Sequence, residues 1–86
     1  MKYRLLVDAD VIEFLQGLPA QERRRVYQYL RRIQQYPGNC SHITTRDDLG
    51  RQLDVSSFGQ FNIYYWMDSA DQHVKILEIR EVDQGR

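Results

Sequence analysis

The sequence predicts an α+β domain of order β-α-α-β-β-β, with a helix hairpin packed on a small, antiparallel-rich sheet. Three observations predict it. Apolar residues recur at helical spacing in two consecutive segments between Val11 and Tyr36, divided at Leu18-Pro19. Three segments between Arg51 and Arg80 are rich in aromatic and β-branched residues and are separated by short turn-forming stretches. The length, 86 residues, suits one core shared by two helices and a sheet, so a single domain over 1–86 is expected.

Residues 2–8 read as the first strand, with Tyr3, Leu5 and Val7 on one face. Asp10 and Glu13 fit a capping box for the first helix, and Asp8 is a competing cap. Val11, Phe14, Leu15 and Leu18 then form one apolar stripe, which Gly17-Leu18 ends. Pro19 suits the first position of a second helix, where its missing N–H costs nothing. That helix is expected to run to about Tyr36, burying Val26, Leu30 and Ile33, until Pro37-Gly38 stops it. Residues 37–49 hold mostly turn formers and are expected to be the least structured stretch.

Arg51 to Phe58 reads as a strand with Leu53 and Val55 on one face, followed by a tight turn at Gly59-Gln60. Phe61 to Met67 is the strongest strand, and Asp68 to Gln72 is a hairpin loop. In the last strand, His73 to about Arg80, the apolar residues Val74, Ile76, Leu77 and Ile79 do not alternate. Either both faces are covered or a bulge near Ile76 shifts the register. The polar tail from Glu81 is expected to fray. Periodicity does not say where the first strand joins the sheet.

Charge narrows the function classes. Twelve basic residues balance twelve acidic ones, unlike the clear positive excess of a strongly basic nucleic-acid binder. The balance is uneven, however: residues 1–43 carry a net +3 and residues 44–86 a net −3. A single cysteine, Cys40, allows no internal disulfide. The longest apolar run, Ile63 to Met67, is five residues, far short of a membrane span. The expectation is a cytoplasmic protein without membrane contact. His42 and His73 have no His or Cys partner at ligand spacing, so no metal and no cofactor are expected.

Several residues carry possible chemistry. Asn62, Tyr64 and Trp66 share one face of the central strand, opposite the more apolar Phe61, Ile63, Tyr65 and Met67, which are expected under the helices. Tyr64 and Trp66 then offer a stacking platform for a base or a pocket for a partner's side chain; the alternative is a second small core covered by the tail. Arg46 and Arg51 flank Asp47-Asp48, either as phosphate contacts or as solvated charges paired with those aspartates. Arg80 can stabilise a phosphate or pair with Glu78, Glu81 or Asp83. Arg23, Arg24, Arg25, Arg31 and Arg32 form a nucleic-acid patch or a solvated helix face.

Three stretches carry a resemblance to a known family: Tyr3-Arg-Leu-Leu-Val with Val11-Ile-Glu-Phe-Leu-Gln-Gly-Leu-Pro19; the helix ending Ile33-Gln-Gln-Tyr-Pro37; and Gly59-Gln-Phe-Asn-Ile-Tyr-Tyr65 with Val74-Lys-Ile-Leu-Glu-Ile79. Together they resemble the RelE/ParE toxin superfamily of bacterial toxin–antitoxin modules. The resemblance implies a cognate antitoxin as partner, an acidic amphipathic segment, and for RelE-like members the ribosome and messenger RNA. ParE-like members poison DNA gyrase, whereas for RelE-like members it implies metal-independent mRNA cleavage, in which the RNA's 2′-hydroxyl attacks the adjacent phosphate. The protein orients it, assists proton transfer and stabilises developing negative charge. Along that pattern Asn62 stands where the family has an arginine, and the family's paired basic residues fall near the apolar Leu53 and Val55. The expected catalytic set is therefore a displaced one, Arg80, Arg51 and Lys75, with Arg46, Tyr64, Trp66 and Asn62 binding RNA or a partner. The alternative is a non-nucleolytic interaction module of the same fold, which binds an antitoxin and is gyrase-directed or non-toxic.

Overall fold

The computed structural model describes residues 3–82, so the expected start of the first strand at Lys2 and the tail from Asp83 lie outside the described residues. The elements are β1 (Arg4–Val7), α1 (Ala9–Gln16), α2 (Ala20–Gln35), α3 (Pro37–Cys40), β2 (Ile43–Arg46), β3 (Gln52–Phe58), β4 (Phe61–Asp68) and β5 (His73–Glu81). They form the expected α+β arrangement, with one strand and one short helix more than the sequence pattern showed. The five strands lie in the order β1-β5-β4-β3-β2. β1 runs parallel to β5, and the other neighbours are antiparallel.

The helix boundaries follow local chemistry. Asp8, not Asp10, caps α1: its carboxylate accepts the Asp10 backbone N–H at 2.9 Å. Asp10 instead sits in the first turn, where a negative charge faces the positive end of the helix dipole. Pro19 is the residue before α2 rather than its first residue. Its backbone is extended, and its carbonyl accepts the Arg23 N–H. Pro37 ends α2 by keeping the preceding Tyr36 out of the helical region, at φ −133° and ψ 61°, and then opens α3 as its first residue.

The core lies between the helices and one sheet face. Val11 and Leu15 of α1 and Val26, Leu30 and Ile33 of α2 meet Phe61, Ile63 and Tyr65 of β4 and Val74, Ile76 and Ile79 of β5. Leu5 and Val7 of β1, and Tyr3 just before it, pack against the same cluster, as their alternation suggested. Buried polar groups tie the layers together. Gln34 donates to the Tyr3 carbonyl, linking α2 to the residue that precedes β1. The Tyr29 and Ser56 hydroxyls share a hydrogen bond between α2 and β3, and the Tyr65 hydroxyl donates to the Pro37 carbonyl. Cys40 is also buried in this core, where desolvation pushes its thiol above the usual range.

The irregular apolar pattern of the last strand is a bulge. Tyr64 faces Glu78 whereas Tyr65 faces Ile76, leaving Leu77 as the extra residue. The bulge switches parity, so Ile76 and Ile79 both reach the helix side. It also turns Glu78 and Arg80 to the face that carries Tyr64 and Asn62.

Residues 37–49, expected to be loop, hold α3 and the edge strand β2. β2 pairs Ile43 with Val55 and Thr45 with Leu53, and all four of its residues are exposed. A strand with no buried face has no alternation to read, which is why its sequence looked like loop. Glu81, expected at the start of a fraying tail, is paired with Phe61 at the end of β5 and accepts a hydrogen bond from Gln60 Nε2.

The β3–β4 turn falls at Gly59-Gln60, and Gly59 has φ +58°. A Cβ there would meet nothing within 4 Å, so backbone strain is the only cost of adding one. Gly59→Ala is expected to destabilise the fold by roughly 1–2 kcal/mol. Urea denaturation checks this, and an unchanged midpoint would contradict the left-handed turn.

Candidate functional site

Among the described residues, no helix is long and apolar enough to cross a membrane. The candidate site lies on the sheet face away from the helices. β4 contributes Asn62, Tyr64 and Trp66, which alternate with the buried Phe61, Ile63 and Tyr65 as expected. The bulged β5 contributes Lys75 opposite Trp66, Glu78 opposite Tyr64 and Arg80 opposite Asn62. β3 contributes Leu53 and Val55, only 7% and 2% exposed although they lie outside the helix-side core. They form an apolar floor under this face.

Two cation–aromatic groups stand on that floor. The Arg51 guanidinium carbon lies 4.8 Å and the Lys75 Nζ 4.7 Å from the centre of the Trp66 ring. The Arg80 guanidinium carbon lies 5.0 Å from the Tyr64 ring centre. Arg46 and Arg80 come together at a recess of about 340 Å³, whose lining includes Tyr64, Asp48 and Glu78. The structure thus brings Arg46, Tyr64 and Arg80 to one recess, and Arg51, Trp66 and Lys75 to an adjoining cluster. Asn62 lies beside Arg80 on β4 and accepts a hydrogen bond from the Ser57 hydroxyl.

Every cation of the expected catalytic set also faces a carboxylate. Arg51 makes a two-nitrogen contact with Asp47 at 2.8 Å, Lys75 lies 3.4 Å from Asp68, and Arg80 donates to Glu78 at 2.6 and 3.2 Å. Asp47 also accepts the Leu49 and Arg51 backbone N–H groups, closing the β2–β3 turn. Partial desolvation raises the Asp47 pKa, but the hydrogen bonds from Arg51 and Leu49 outweigh it and hold the carboxyl below the usual range. Arg46 donates to the Gly50 carbonyl at 2.7 Å across the same turn. The Arg80–Glu78 pair is the most open, with side chains 62% and 48% exposed, so it contributes little and can exchange with another anion.

The sequence names Glu78, Asp47 and Asp48 as pairing partners of these arginines, but not as lining of one recess. Glu78 reaches it only through the bulge, and the aspartates only through pairing of β2 with β3. Sequence reasoning missed a meeting of Asp68, Asp71 and His73, whose ligand-type atoms lie within 4.8 Å of one another in the β4–β5 turn. There the Lys75 ammonium already supplies a positive charge to Asp68.

No protein-family model matches the sequence, and no curated protein matches it. Solved structures do. RelE in the archaeal RelE–RelB complex of Pyrococcus horikoshii superposes with a TM-score of 0.80, at 22% identity over 99% of this chain and 100% of that one. The chain has the RelE fold. The toxin–antitoxin complex RelBE2 of Mycobacterium tuberculosis also matches at a TM-score of 0.80, with 17% identity over 94% of this chain and 99% of that one. The isolated Escherichia coli RelE toxin matches at 0.75, with 12% identity over 96% and 87%. The apolar floor of Leu53 and Val55 lies near the positions that the sequence resemblance assigns to basic residues. The cations present come from neighbouring positions on β5 and from the β2–β3 turn.

Proposed function

We propose that the chain is the toxin component of a toxin–antitoxin module, with an antitoxin as partner and the open sheet face as its working surface. The RelE-like fold along the whole described chain supports this, since two of the matching structures are complexes of a RelE with its antitoxin. The observation that carries the reading further is the recess where Arg46 and Arg80 meet Tyr64. A phosphate held there would meet two guanidinium groups, suited to two-point recognition of its oxygens. A base would lie against Tyr64 or Trp66.

In ribosome-dependent cleavage of messenger RNA, the 2′-hydroxyl attacks the adjacent phosphorus and the 5′-oxygen leaves, giving a cyclic phosphate. Arg80 would stabilise the developing negative charge, with Arg51 and Lys75 contributing to the positive field beside it. This work belongs where translation occurs, in the cytoplasm, and asks for no metal or cofactor.

The ion pairs favour a second reading. Arg51, Lys75 and Arg80 each face a carboxylate already. A surface neutralised in this way suits a non-nucleolytic module that binds an antitoxin and acts on another target, such as gyrase, or on none.

Primer extension on a message translated in a cell-free system separates the two. The cleavage reading expects new 5′ ends at codons in the ribosomal A site, weakened roughly 10²–10³-fold by Arg80→Ala. Intact message with unimpaired translation rejects cleavage and leaves the interaction module.

A further inference from the structure

Among the described residues, the largest group of cations without an ion pair lies on α2, away from the open face. Among the described residues the ion pairs are the three on the open face; no arginine of α2 has a carboxylate partner. Arg25 and Arg32, both exposed, are two helical turns apart on one side of α2, about 10 Å along its axis. Tyr29 lies between them and stacks on Phe58 of β3, with ring centres 4.4 Å apart and planes at 17°. These four residues and Gln28 line a recess of about 360 Å³. Arg32 also borders a second recess of about 320 Å³ with Tyr36 and Asn39, so the strip continues past the end of α2.

We infer that this strip is a second nucleic-acid site, which binds single-stranded RNA with phosphates on Arg25 and Arg32 and a base against the Tyr29–Phe58 pair. The strip offers guanidinium, amide and aromatic groups with no exposed aliphatic side chain at its centre. An acidic amphipathic helix would find charge there but little to bury its apolar face against. A polyanion with flat bases matches all three groups, since arginine recognises phosphate in a two-pronged way and aromatic rings accept bases of any sequence. The choice of RNA over DNA rests on the function proposed above; the strip itself rests on the α2–β3 geometry.

The test is fluorescence anisotropy of a labelled single-stranded RNA oligonucleotide with the full chain, across a salt series. Arg25→Ala with Arg32→Ala is expected to weaken binding roughly tenfold or more and to flatten the salt dependence by about 1.4 logarithmic units per decade. Arg24→Ala with Arg31→Ala, which removes the same two charges from another side of α2, is expected to have a much smaller effect. Thermal melting verifies that the variants fold; all four side chains are exposed.

An equal loss with Arg24→Ala and Arg31→Ala together overturns the site in favour of a diffuse field. Equal binding of a DNA oligonucleotide of the same sequence overturns the RNA assignment. Tighter binding of a poly-glutamate peptide assigns the strip to an acidic protein partner and overturns it too. If RNA binds through Arg25 and Arg32 while message stays intact in the cell-free assay, the strip stands and the cleavage reading fails.

Discussion

Leu30→Ala is expected to lower the unfolding free energy by about 2–5 kcal/mol. Leu30 is fully buried at the centre of α2's apolar stripe, between Val26 and Ile33, in the cluster that also contains Ile63, Tyr65 and Ile76. The truncation removes the transfer energy of the lost methyl groups and leaves a cavity between helix and sheet, which rigid neighbours close only in part. At about 0.05–0.15 kcal/mol per residue, a domain this small has little stability to spare, so the loss is a large share of the total. Urea denaturation followed by circular dichroism reads it directly. Near-wild-type stability would contradict the burial of α2 against the sheet.

Tyr65→Phe is expected to cost about 1–3 kcal/mol through a different cause. The phenol is wholly buried and donates to the Pro37 carbonyl, joining β4 to the short α3. Phenylalanine keeps the ring but leaves that acceptor without its partner. The same residue predicts an alkaline limit. Burial, reinforced by the negative charge of Asp54, pushes the Tyr65 pKa far above its ordinary value of 10.0. The folded state therefore holds the proton more tightly than the unfolded chain does. Its contribution to stability is complete below pH 10 and is lost progressively as the pH rises above that. Denaturation midpoints at neutral pH and above pH 10 are expected to converge between wild type and Tyr65→Phe as alkalinity rises. A constant gap between them would contradict the buried, protonated phenol.

These two residues differ in how visible they are before folding. Leu30 belongs to an amphipathic stripe and is assigned to the core by spacing alone. Tyr65 is assigned to the buried side of β4 by its alternation with Tyr64 and Trp66, but its hydroxyl partner is invisible, because Pro37 is 28 residues away in the chain. The candidate site shows the same division. Asn62, Tyr64 and Trp66 are legible as one face because a strand puts alternate residues on one side. Arg80 reaches that face because Leu77 is a bulge. The sequence signals an irregularity near Ile76 but not which residue is extra. The partners Glu78 and Asp47 lie two and four residues from Arg80 and Arg51 and are legible as pairing candidates, but the bulge that turns Glu78 and Arg80 to this face and the closure of the β2–β3 turn are not.

By itself the sequence determined the helix stripes, the buried side of β4, the turn at Gly59 and the α+β class. Each of these is a local property, set by side-chain period and by the conformations that glycine and proline allow. Tertiary structure decided the parallel pairing of β1 with β5, the edge strand β2, and the meeting of Arg46 with Arg80 at one recess. Those depend on which distant segments meet. Pairing across a sheet is chosen by the total burial of one face, and no single segment of the chain carries that information.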